Sequence, residues 1–127
     1  MTLPASGPLA TQAVHTVAAD RTILDGLPFQ HKPTTTAPGQ QERSGTVWSA
    51  GDQIRTGYWE CGTGTFTAAR DGVHEICYIV TGRASLRDAE GVVTEIGPGT
   101  VLVLPAGWQG TWQVHEPIEK MFVLIHQ

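Results

Sequence analysis

Residues 83–105 read RASLRDAEGVVTEIGPGTVLVLP. Runs at 83–87, 92–96 and 100–104 are parted by Asp88-Ala89-Glu90-Gly91 and Gly97-Pro98-Gly99, and Pro105-Ala106-Gly107 closes the third. Each break carries Gly or Pro, which supply the backbone dihedrals of tight turns. Within the first run, Ala84 and Leu86 alternate with Arg83, Ser85 and Arg87, the period-two pattern of a strand with one buried face. Runs of about five residues between such turns are too short for helices and well suited to antiparallel strands.

The same pattern extends in both directions. Upstream, runs at 45–49, 54–61, 63–68 and 74–80 are separated by Ala50-Gly51-Asp52 and Arg70-Asp71-Gly72; downstream, 110–114 and 118–126 flank His115-Glu116-Pro117. No stretch between these breaks sustains a 3.6-residue apolar period, so the chain is predicted to be all-β and antiparallel. A barrel or jelly roll accommodates this many short strands without leaving long exposed edges. Residues 1–44 hold five of the eight prolines and the stretch Thr34-Thr35-Thr36-Ala37-Pro38-Gly39; they are predicted to form an irregular N-terminal arm with one edge strand at most, leaving 45–127 as the barrel.

Composition excludes several classes. The 127 residues are 40% hydrophobic, enough for one packed core and too apolar for a disordered chain. A net charge of -4 without any Lys/Arg cluster argues against nucleic acid and anionic membranes as partners. The longest apolar runs, 101–104 and 121–125, fall far below the roughly 20 residues that span a bilayer, and the first 20 residues lack the basic start of a signal peptide. These features predict a cytoplasmic protein. Cys61 and Cys77 are expected as buried free thiols, with strand phase placing them on opposite faces.

At 62–82 and 99–107 the chain resembles the two cupin motifs, G-x5-H-x-H-x3,4-E-x6-G and G-x5-P-x-G-x2-H-x3-N. Gly62, Glu75 and Gly82 fall in register with the first, and Gly99, Pro105 and Gly107 with the second. With WECGTGTF before and PAGWQGTW after, the chain is similar to small single-domain cupins related to ethanolamine-utilisation cupins and ureidoglycine aminohydrolases. The resemblance implies a cupin jelly-roll barrel over 45–127. The family's four metal-ligand positions read Ala68, Arg70, Glu75 and Gly110, so one ligand of four remains. A lone carboxylate cannot complete a transition-metal shell, and neither metal nor other cofactor is expected. The displaced ligand set of the aminohydrolase branch is not matched either, at Ala69, Asp71 and Glu75. A shifted site of Asp71, His74 and Glu75 is the alternative, and requires the chain to bend at Gly72 because strand neighbours face opposite ways.

The related small cupins carry a Glu after Trp, the first-motif Glu, a Trp in the strand after the second motif and a Lys opening the last strand. Glu60, Glu75, Trp112 and Lys120 match those positions. Two carboxylates near an ammonium in an apolar cup can have their acidities pushed apart, so Glu75 is the candidate general acid or base, Lys120 its electrostatic partner and Glu60 the second carboxylate. Trp112, Cys77, Trp108, Tyr78 and Arg70 are the candidate substrate-contacting residues, with Gly110 freeing space where the family has imidazole. Two other readings stay open: a buried structural ion pair without a ligand, and Arg70 as a solvated turn residue. The expected protein binds a small polar amine, ureide or acid, as a metal-independent enzyme or as a non-catalytic accessory protein, and forms a homodimer. A metal-dependent cupin with nonstandard ligands is the third reading.

Overall fold

Two long strands organise the molecule. The computed structural model describes residues 14–18 and 21–127. Its strands are β1 (Gln30–His31), β2 (Gln41–Ala50), β3 (Ile54–Cys61), β4 (Gly64–Ala69), β5 (Val73–Asp88), β6 (Val93–Ile96), β7 (Val101–Leu104) and β8 (Gln109–His126). β5 and β8 pair antiparallel along most of their length and bend together. Their halves therefore belong to different layers. The second half of β8 and the first half of β5 lie between β3 and β7, with β2 and β1 beyond β3. The first half of β8 and the second half of β5 lie between β4 and β6. Side chains from both layers, including Trp59, Phe66, Ile79, Leu86, Leu104, Trp112 and Phe122, meet in one buried cluster. This is an antiparallel jelly roll, as the sequence predicts.

The predicted breaks at 81–82 and 115–117 are bends within continuous strands. The β5–β8 register shifts at Ile79/Thr81, Thr81/Arg83 and Arg83/Ala84, which is a bulged crossover. Gly82 sits there at φ +88°, and a Cβ on it would lie 2.1 Å from the Pro117 carbonyl oxygen. Only glycine permits this approach, and Pro117 is tolerated because a bulge spares it the missing N–H bond.

Strand formation also begins earlier than Gly45. β2 starts at Gln41, and β1 pairs with it through Gln30 and Glu42. Residues 32–40 then run along the free edge of β4, where the Thr36 N–H donates to the Thr65 carbonyl at 2.9 Å and the Thr67 N–H to that of Thr34 at 3.2 Å. Proline content hides this role, because it reports where chain cannot enter a central strand and not whether it covers an edge. Residues 1–13, 19 and 20 of the predicted arm lie outside the described residues.

Cys61 and Cys77 are free, buried and members of the same core cluster, so both point inward and the opposite-face expectation is corrected. Trp59 and Cys61 on β3, like Glu75, Cys77 and Ile79 on β5, occupy the inward phase of strands in the same layer. Among the described residues no helix is long and apolar enough to cross a membrane.

Candidate functional site

β5 and β8 deliver the central charges. Inward phase on β5 carries Glu75, and inward phase on β8 carries Lys120, Phe122 and Leu124. Glu75 and Lys120 are 2% and 5% exposed, depths at which an ionised group needs a partner. They supply each other: Lys120 Nζ lies 2.9 Å from Glu75 Oε2. Arg70, at the mouth where β4 ends, donates from Nε to Glu75 Oε1 at 2.8 Å. Arg70 is thus an ion-pair partner of Glu75 and not a free turn residue.

Burial alone would push the Glu75 carboxyl up, but the Lys120 ammonium and Arg70 guanidinium overcome this and hold it at about 2. Burial pushes the thiols of Cys61 and Cys77 up to about 12, which leaves both neutral. Neither is a nucleophile near neutral pH.

The triad borders a cavity of about 840 Å³ between the layers, within the size range of small-molecule sites. Trp59, Phe66 and Trp112 form its aromatic side, with Phe66 and Trp112 stacked at 5.7 Å and Trp59 edge-on to Trp112 at 5.9 Å. Lys120 Nζ lies over the Trp59 and Trp112 rings, 4.4 and 4.8 Å from their centres. The lysine therefore occupies an aromatic and carboxylate cage of the kind that binds ammonium ligands.

Several candidates stand elsewhere. Glu60 faces the outside of the layer, where Arg21 Nη2 and Arg43 Nη2 approach its Oε2 at 3.1 and 3.5 Å. Its cross-strand neighbour Glu119 binds the Tyr58 hydroxyl at 2.8 Å and Arg21. Glu60 cannot join Glu75 and Lys120, because alternation points it away from Trp59. This corrects its assignment as the second carboxylate. Tyr78 points outward and is 44% exposed, so it does not border the cavity. Cys77 is sealed in the core and does not line the cavity wall. Trp108 packs across Gly110: a Cβ there would meet the indole at 2.6 Å and the Arg87 carbonyl at 2.3 Å. The Cβ side of Gly110 is therefore taken by Trp108, while Gly110 itself still lines the cavity.

A carboxylate that does face the cavity beside Glu75 is Glu42 on β2, opposite Cys61. It accepts from Trp59 Nε1 at 2.8 Å and from Lys32 at 3.0 Å. Alternation read back from Ser44, which also lines the cavity, reaches Glu42, but a strand start at 45 conceals both. Arg55 and Arg87 also line the cavity.

The residues do not fit a divalent metal. Both oxygens of Glu75 already bond to cations, and Ala68 and Gly110 offer no ligand atom. His74 turns away, accepting the Ala106 N–H on Nδ1 at 2.9 Å and meeting Gln127 at Nε2, so it cannot meet Glu75 in a shifted site. Among the described residues no three His, Cys, Asp or Glu side chains gather.

A two-layer antiparallel jelly roll with its polar site between the layers is the architecture of the cupins. The sequence profile of the EutQ-like cupin domain matches residues 48–122, and the chain belongs to that family. The structure is similar to the EutQ protein of Clostridium difficile, with a TM-score of 0.63 at 17% identity over 72% of this chain and 73% of that one. It also resembles the cupin domain of Schizosaccharomyces pombe Cnp3, with a TM-score of 0.63 at 9% identity over 82% and 72% of the two chains. A Pseudomonas syringae protein of unknown function gives a TM-score of 0.66 at 16% identity over 90% of this chain and 45% of that one, so the chain spans under half of that protein. At these identities the likeness shows the fold alone. No curated protein matches the sequence.

Proposed function

We propose that this cupin binds a small polar metabolite in the cavity between its layers, without a metal. The observation that supports it is the Arg70–Glu75–Lys120 triad, a charged floor standing where the family's metal ligands would be and open on one side to the cavity. A buried ion pair that served stability alone could as well be hydrophobic, and at similar volume often more stable. Retaining it beside a cavity points to recognition. Proton transfer by Glu75 is the weaker reading, because a carboxylate pinned at about 2 between two cations is a poor base and no acid near neutral pH.

A thermal-shift screen of amines, ureides, keto acids and sugars, with and without divalent cations, tests the reading. A compound that raises the melting temperature of the wild type but not of Arg70→Ala supports it. Stabilisation by divalent cations alone overturns it.

A homodimer is a separate proposal, favoured by one surface. On the outer face, Ile76 stands opposite Val103 and Val123, and Tyr78 opposite Val101 and Met121. Ile76, Tyr78, Val101 and Val103 are 39–65% exposed, where a solvated antiparallel sheet would present polar residues.

A further inference from the structure

Charge is distributed unevenly between the cavity and the rest of the chain. The sequence has eight Lys and Arg against twelve Asp and Glu. Five of the eight cations line the cavity: Lys32, Arg55, Arg70, Arg87 and Lys120. Among the described residues three acids do so, Glu42, Glu75 and Asp88. A chain of net charge -4 thus surrounds its cavity with five positive and three negative groups, an excess of two positive charges.

The pairing shows where the excess resides. Lys32 is matched by Glu42 at 3.0 Å. Glu75 is shared by Arg70 and Lys120, which leaves the floor one positive charge in excess. At the rim, Asp88 is turned to its own loop, accepting the Glu90 and Val92 N–H groups at 2.9 Å each. Among the described residues the rim arginines donate to neutral oxygens: Arg87 to the Gly91 carbonyl at 3.4 Å, and Arg55 to the Thr46 hydroxyl at 3.2 Å.

The aromatic side strengthens the bias. Lys32 lies over Phe66, Lys120 over Trp59 and Trp112, and Arg55 over Phe122. Rings that could cage a ligand's ammonium already carry the protein's own cations. An incoming amine meets like charge with its aromatic partners taken, whereas a carboxylate meets unneutralised donors beside an apolar wall, where charge interactions are screened less than in water.

We propose that the cavity selects a small organic carboxylate and rejects the matching amine. The proposal rests on the cavity being a ligand site. One carboxylate balances the floor, and the planar forks of Arg55 and Arg87 suit carboxylate oxygens at the rim.

Calorimetric titration with matched probes tests it: benzoate, benzamide and benzylamine, then hexanoate and hexylamine, with phenyl phosphate as a second anion. The carboxylates are expected to bind at least about tenfold tighter than their amides and amines, and to weaken as salt rises. Arg87→Gln and Arg55→Gln, at exposed positions that leave the core intact, should each weaken carboxylate binding about three- to tenfold. An amine or amide that binds as well as its carboxylate, and loses affinity when Ala68→Phe fills the cavity, overturns charge selection while leaving the ligand site standing. Phenyl phosphate binding tighter than benzoate overturns the assignment to a carboxylate. Absence of binding by every probe, with Ala68→Phe melting like the wild type, overturns both the selection and the site.

Discussion

Lys120 Nζ stands 2.9 Å from Glu75 Oε2, with both side chains almost wholly removed from solvent. Taking either charge away strands the other, which costs more than never having buried them. Glu75→Gln should therefore lower stability by about 3–5 kcal/mol, and the double change Glu75→Leu with Lys120→Met should recover much of it. Urea denaturation of the single and double variants measures this. A double variant no more stable than the worse single would contradict the coupling.

The same pair sets the response to acid. The folded Glu75 carboxyl at about 2 lies below its ordinary 4.5, so its ionised form favours the fold. This contribution is complete above about pH 4.5 and is lost as pH falls towards 2, amounting to roughly 3 kcal/mol at most. Denaturation midpoints should fall across that window in the wild type, with a shallower decline in Glu75→Gln.

Cys61 and Cys77 should be chemically silent in the native protein. Burial raises both thiols to about 12 and closes off access. A thiol-disulfide dye at pH 8 should label neither within minutes, and both once denaturant is added. Rapid native labelling would mean that the layers open.

Gly82 is the hinge of the fold. Gly82→Ala sets a side chain in the left-handed region and drives its Cβ into the Pro117 carbonyl. A loss of more than about 3 kcal/mol, or insoluble expression, is expected. Gly72→Ala also stands at positive φ, +68°, but with open space around it, and should cost only about 1 kcal/mol. Equal losses in the two variants would show that the Pro117 contact contributes nothing.

The outer face of β5 and β7 carries the dimer proposal. Placing Lys at Tyr78 or Glu at Val103 inserts a charge into an exposed apolar surface without touching the cavity. Sedimentation should report a dimer for the wild type and a monomer for both variants, with unchanged melting of the isolated subunit. A wild-type monomer at micromolar concentration would reject the interface.

Local pattern carried the architecture a long way. Alternation at 83–87, glycine turns at 91, 99 and 107, and the motif register of Gly62, Glu75, Gly82, Gly99 and Pro105 are properties of neighbouring residues, and they fix strand length and facing. Inward placement of Glu75, Lys120 and Trp112 was implied by the cupin resemblance, and the two-residue period then carried it along each strand. Glu60 shows where this stops: the sequence grouped it with Glu75 by family position, while its own phase beside Trp59 already pointed it outward.

By itself the sequence determined an antiparallel β fold with a carboxylate and an ammonium inside, and a family metal site lacking its imidazoles. Tertiary structure decided what those charges meet. Arg70 reaches Glu75 because the turn from β4 into β5, held by backbone bonds to Gly107 and Trp108, folds its side chain back, Glu42 enters only through the β2–β3 register, and Trp108 packs over Gly110 through a turn. Such pairings join residues distant in sequence or brought together by backbone bends, so no local period encodes them; they arise when the bulged strands β5 and β8 close the two layers on one another.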